Sequence, residues 1–124
     1  MEARQFLEKI IDSDPSIRFA AVFDRFGTIK DKLHRNDSPP FLSEFDTQIM
    51  LREAASSWFQ RKNLSSKLGK GHYSMTVYDN LTRITLPLSD DHFLIISQTR
   101  DDSPPLLIKT VRKLLEESSI DFFP

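Results

Sequence analysis

Apolar positions along this chain fall into blocks whose period switches from helical to alternating and back, and each switch predicts the boundary of an element. Ala3, Phe6, Leu7, Ile10 and Ile11 share one helical face, with Glu2, Arg4, Glu8 and Lys9 elsewhere, so a first helix is expected to end near 12–15. Pro15 bars Asp14 from the helical region and sends the chain extended into a strand over 17–24. In that strand Ile17, Phe19, Ala21 and Phe23 are expected on one face, with Ala20 and Val22 making the other small and apolar. Both of its faces should be covered. Asp24-Arg25-Phe26-Gly27 reads as a hairpin turn with Gly27 at positive φ, and a second strand over 28–33 alternates Ile29 and Leu33 with lysines. Lysines in such a strand suit a sheet edge.

A polar loop over 34–40 precedes the longest helix, whose start carries a weak cap signature in Ser43 and Asp46. Leu42, Phe45 and Ile49 lie along one side of that helix, whereas Leu51, Ala54, Ala55 and Trp58 lie nearly opposite, so it is apolar on two sides. One sheet face cannot bury both. Either the helix kinks, or one stripe meets another element or another chain. Asn63 to Ser66 weaken the helix, and Gly69 with Gly71 end it. Three strands are expected over 72–99: Tyr73, Met75 and Val77 alternate with polar residues, then Ile84, Leu86 and Leu88, then 93–99. Pro87 cannot donate to a ladder and belongs at a strand end or bulge. Ser103 as cap and Pro104 at the first position predict a last helix that buries Leu107, Val111 and Leu114, flanked by Ile108 and Leu115. The tail, 120–124, is apolar and includes Phe122 and Phe123.

The near-continuous apolar runs at 17–23 and 93–97 mark two strands buried on both faces, which places them side by side in the sheet centre. The fold expected is therefore α/β of the α+β type, in the order α-ββ-α-βββ-α. Its five-stranded antiparallel sheet takes the order 2-1-5-4-3, with the long helix on one face and the other two helices opposite. The 124 residues are expected to form one domain, 1–124.

Chemistry adds little to that picture. Net charge is −1 and the chain has no cysteine, so disulfides, thiolate nucleophiles and cysteine metal sites are excluded. No apolar run approaches membrane-spanning length and the N-terminus starts an amphipathic stretch, so the cytoplasm is the expected location and no membrane partner is expected. His34, His72 and His92 have no metal-ligand spacing, so neither a metal nor a cofactor is expected. Asp90, Asp91 and His92 read as turn chemistry rather than an acid–base pair, and Gly69-Lys70-Gly71 lacks the context of a phosphate loop. No nucleophile is paired with a base, so no enzyme is expected and no catalytic residue is assigned. One basic and aromatic cluster stands out, Arg61, Lys62, Lys67 and Lys70 near Trp58, Phe59 and Tyr73. Stacking rings beside cations could take an anion or single-stranded nucleic acid, yet a helix C-terminus gathers cations for its dipole alone. Nucleic acid is not the expected partner.

The order of elements, together with the text Arg18-Phe19-Ala20-Ala21-Val22-Phe23-Asp24-Arg25-Phe26-Gly27, resembles the roadblock and dynein-light-chain family within the profilin-like and longin group. It is also similar to small archaeal proteins that carry this strand and the run Leu81 to Leu88. The family resemblance implies a non-enzymatic dimer that regulates small GTPases or scaffolds larger assemblies, paired through the long helix and the third strand. The positions so implied are Leu51, Ala54, Ala55 and Trp58 with Tyr73, Met75 and Val77. A homodimer also follows from the two-sided helix, since a symmetric pair is the common way to close an exposed apolar patch. The alternative is a small-ligand sensor of the PAS type, which shares the strand order. Phe19, Phe23, Phe93 and Tyr73 are expected to fill the core such a ligand would need.

Overall fold

The computed structural model describes residues 1–35, 42–99 and 104–120, with side chains of the last helix described from 107 onward. Helix α1 (Ala3–Ser13) opens with the Glu2 backbone N–H donating to Gln5 Oε1 at 3.1 Å, and it buries Phe6, Leu7, Ile10 and Ile11. Asp14 is extended, as Pro15 requires, and its carboxylate accepts from the Ser16 N–H (2.9 Å) and hydroxyl (2.7 Å). Strand β1 (Ile17–Asp24) follows, then β2 (Ile29–His34), α2 (Glu44–Lys62), the short α3 (Ser65–Leu68), β3 (Ser74–Val77), β4 (Leu81–Pro87), β5 (His92–Thr99) and α4 (Pro104–Glu117).

The sheet has the order β2-β1-β5-β4-β3 with every neighbouring pair antiparallel. β1 and β5 run together along most of their length, Ala20 opposite Ile96 and Phe23 opposite Phe93. Helices α1 and α4 cover one face over Ala20, Val22, Ile84, Leu86, Leu94 and Ile96. Helix α2 covers the other over Phe19, Ala21, Phe23, Phe93 and Ile95. A strand flanked by helices on both faces must be apolar on both, which is why β1 and β5 lack the polar half of an alternating pattern.

Details depart from the expected arrangement where the backbone departs from regularity. The β1–β5 register shifts between Ile17 and Phe19, so Ile17 joins Ala20 and Val22 under α1 and α4 instead of sharing the Phe19 face. Arg35 locks this corner. Its Nε donates to the Ile17 carbonyl (2.7 Å) and its Nη2 to those of Ile11 (2.6 Å) and Asp14 (2.9 Å), capping the end of α1. Tyr73 precedes β3 and is exposed, so it adds nothing to the core; Trp58 takes that place, stacked on Phe93 at 6.1 Å. The long helix ends earlier than its pattern predicts, at Lys62 with Asn63 as its cap, and Gly69, at φ +85°, ends the short separate helix α3 instead. Pro87 is the final residue of β4, and the Ser43 hydroxyl caps α2 by accepting from the Asp46 N–H at 3.1 Å. The proposed Ser103 cap and the tail phenylalanines Phe122 and Phe123 lie outside the described residues.

Candidate functional site

Helix α2 sets the surface. Its start is held near β2 by Lys32 and Glu44 (3.5 Å), and Gln48 Nε2 donates to the Gly27 carbonyl at 2.8 Å. It reaches β4 at Trp58, whose indole N–H donates to Thr85 Oγ1 at 3.0 Å. Gly27 makes the close crossing possible: it sits at φ +81°, and a Cβ there would lie 2.9 Å from the Arg52 Cα. The Asp24 carboxylate completes the turn by accepting from the Phe26 and Thr28 N–H groups (2.9 and 3.0 Å).

Of the two apolar stripes on α2, the inner one is Leu51, Ala54, Ala55 and Trp58, all buried against the chain's own sheet. This corrects the assignment of those four to a contact between chains. The physical reason lies in size: two alanines between Leu51 and Trp58 let the helix backbone approach the sheet closely, and fully burying a side chain such as Leu51 contributes about 1.5–3 kcal/mol. The opposite stripe stays outside. Phe45 is 74% exposed, and Leu42, Ile49 and Phe59 are exposed with it.

The strand half of the expected surface is open. Tyr73, Met75 (43% exposed) and Val77 (52% exposed) lie on or beside β3, the last strand of the sheet, and Tyr78 continues the row. Met75 pairs with Ile84 and Val77 with Thr82, so these two lean to the α1/α4 side, while Ser74 and Thr76 turn to the α2 side. There they line an open groove of about 410 Å³ with Glu53, Ser57, Gln60 and Arg83. The sheet's two edges differ sharply. β2 carries Lys30, Asp31 and Lys32, and Asp31 and Lys32 reach Arg4 (2.9 Å) and Glu44 (3.5 Å) on the flanking helices. β3 carries Ser74, Met75, Thr76 and Val77, with no charge and no proline. Charged edge residues are the usual guard against strand addition, and β3 has none.

The basic cluster is only partly assembled. Arg61, Lys62 and Lys70 meet Trp58 and Phe59 around one groove, but Lys67 and Tyr73 are not in its lining. The Arg61 guanidinium sits 5.2 Å over the Trp58 ring, which is therefore covered and not free to stack on a base. The histidines occupy separate elements: His34 packs on Phe19 (4.6 Å between rings), His72 Nδ1 lies 3.3 Å from Arg112, and His92 Nδ1 lies 3.3 Å from the Ser89 hydroxyl. Burial, and then Lys32, holds the His34 imidazole below its ordinary pKa. Burial and then Lys30 do the same for His92, against opposing pulls from Asp24 and Asp91. Among the described residues no group of three or more acidic or histidine side chains is placed to hold a metal ion. Asp90 and Asp91 lie in the β4–β5 turn, where Asp91 pairs loosely with Arg25 at 3.8 Å. Among the described residues no helix is long and apolar enough to cross a membrane.

No family model matches this chain, and no curated protein matches it. Solved structures do. A roadblock/LC7 domain from Streptomyces avermitilis superposes with a TM-score of 0.73 at 11% identity, over 94% of each chain. The gliding protein MglB from Thermus thermophilus gives 0.73 at 14%, over 94% of this chain and 90% of that one. Profilin II from Acanthamoeba castellanii gives 0.58 at 13%, over 91% and 93%. None of these three is archaeal, and the archaeal likeness stays an expectation. At such identities the agreement concerns backbone architecture: this chain has the fold of roadblock/LC7 domains, which profilin shares in outline.

Proposed function

We propose that this chain is a non-enzymatic, cytoplasmic interaction module of the roadblock type that works as a symmetric homodimer and presents the paired surface to a small GTPase or a larger protein assembly. The observation that carries the reading is the unguarded edge of β3. A second copy of the same edge, added antiparallel across a two-fold axis, would satisfy the outward N–H and C=O groups. It would also bring the two sets of Met75 and Val77 side by side. Phe45 and Ile49 on the outer side of α2, with Leu42 just before its cap, supply further exposed apolar area for the pair or its partner. Self-association has a parallel in a fold relative, MglB in a tetrameric arrangement, which superposes with a TM-score of 0.75 at 15% identity over 93% of this chain and 83% of that one. The packing under α2 favours this role over a PAS-type sensor, because Trp58, Phe93, Phe19 and Phe23 fill the space a ligand would take.

Sedimentation equilibrium at micromolar concentration tests the proposal. The expected mass is twice the 14.4 kDa of one chain, falling to one chain in Met75→Lys/Val77→Lys with circular dichroism unchanged. A wild type at the mass of one chain would refute it.

A further inference from the structure

A second opening lies at one end of the molecule, where the β1–β2 turn, the C-terminal end of α2 and the β4–β5 turn converge. It measures about 450 Å³ and shares only Arg61 with the α2–β3 groove. Its floor is the stacked Trp58 and Phe93 with Pro87 and Gly71, where Gly71 packs so close that a Cβ would lie 2.8 Å from the Trp58 ring. Phe59, 57% exposed, stands at the margin as a free apolar wall. The rim is charged, with Arg25, Arg61, Lys62 and Lys70 facing Asp90 and Asp91. Arg25 is already paired with Asp91, so the cations left over lie on the α2 side, with Lys62 and Lys70 in no ion pair among the described residues. A chain of net charge −1 thus keeps a local positive surplus around an apolar floor.

We propose that this groove docks an acidic segment of a partner protein, with one large apolar side chain seated against Phe59 and Pro87 and its flanking carboxylates meeting Arg61, Lys62 and Lys70. Complementary charge selects the partner and a single buried anchor gives most of the hold. Nucleic acid fits less well on two counts. The indole face is already taken by Arg61 and Phe93, and the opening is compact rather than a track for a backbone. Asp90 and Asp91 repel any anion on their own side, which confines the acidic groups of the segment to the side of Arg61, Lys62 and Lys70. The site is independent of pairing through β3.

Selection of a random peptide library displayed on phage against the whole chain is the test. Enriched sequences are expected to be rich in acids around one aromatic or large aliphatic residue. A synthetic copy should shift the emission of Trp58, the only tryptophan in the chain. Its affinity should fall about tenfold in Lys62→Glu/Lys70→Glu. It should be unchanged in Lys9→Glu on α1 and in Met75→Lys/Val77→Lys, which separates failure of this site from failure of dimerisation. No enrichment, enriched peptides without acids, unmoved Trp58 emission, or tighter binding of oligothymidylate or phosphatidylserine vesicles would each overturn the proposal.

Discussion

The hydrogen bond from Trp58 Nε1 to Thr85 Oγ1 is where the long helix is fastened to the outer half of the sheet, and a double-substitution cycle measures it. Both residues are 6% exposed and the bond is 3.0 Å long, so neither partner finds water when the other is removed. Thr85→Val keeps the branched shape and leaves the indole N–H buried without an acceptor, which costs about 1–3 kcal/mol. Trp58→Phe removes the donor and leaves a gap beside Phe93. A residual void of about 40 Å³ would add about 1 kcal/mol, for about 2–4 kcal/mol in total. Once one partner is gone, removing the other eliminates the stranded group. The double variant should therefore be less destabilised than the sum of the singles by about 1–2 kcal/mol. Urea unfolding followed by far-ultraviolet circular dichroism, at one fixed protein concentration, reads all four chains. Single effects that add within about 0.5 kcal/mol would show that the bond contributes nothing and that α2 is held by apolar contact alone.

Other expectations follow from the same contacts. Gly27→Ala should cost about 2–4 kcal/mol in urea unfolding, because the residue combines φ +81° with the Arg52 backbone 2.9 Å from a new Cβ; a neutral result would contradict that crossing. Leu51→Ala should cost about 2–5 kcal/mol, whereas Phe45→Ser on the outer stripe should change the stability of one chain by no more than about 0.5 kcal/mol. His34 and His92 both have imidazoles held below the ordinary value of 6.5, so the unfolded chain takes up protons before the folded one as pH falls. Stability present above that ordinary value should decline as the pH falls through the lowered folded values, and His34→Gln/His92→Gln should flatten the decline in the urea midpoint.

Strand order could be read from the chain because burial on two faces leaves a mark that burial on one does not. The uninterrupted apolar text of β1 and β5 named the centre of the sheet, and the lysines of β2 named an edge. The direction in which Ile17 points could not be read, since a register shift at Arg18 flips the alternation without altering composition. The two stripes of α2 were also visible. Choosing the buried one required attention to size, as Ala54 and Ala55 permit close helix–sheet contact while the outer stripe is broken by Arg52 and Ser56. The groove beside Trp58 was less legible still, because its lining comes from Arg25, from 58–71 and from 87–93. Only the cations and rings of its α2 side are close in sequence, and Lys67, which belongs to the same cluster in sequence, does not line it.

The absence of cysteine from the chain makes the β3 edge directly addressable. Single substitutions Ser74→Cys, Met75→Cys, Thr76→Cys and Val77→Cys, each oxidised at micromolar concentration, report whether two β3 strands meet. In an antiparallel pair across a two-fold axis, residues nearest the axis face their own copies with Cα atoms about 4.5–5.5 Å apart, within disulfide range. Rapid, covalent dimerisation is expected at one or two adjacent β3 positions and none at Lys30→Cys on the guarded β2 edge. Four β3 variants that stay monomeric, or a β2 cysteine that links as fast, would rule out pairing through β3.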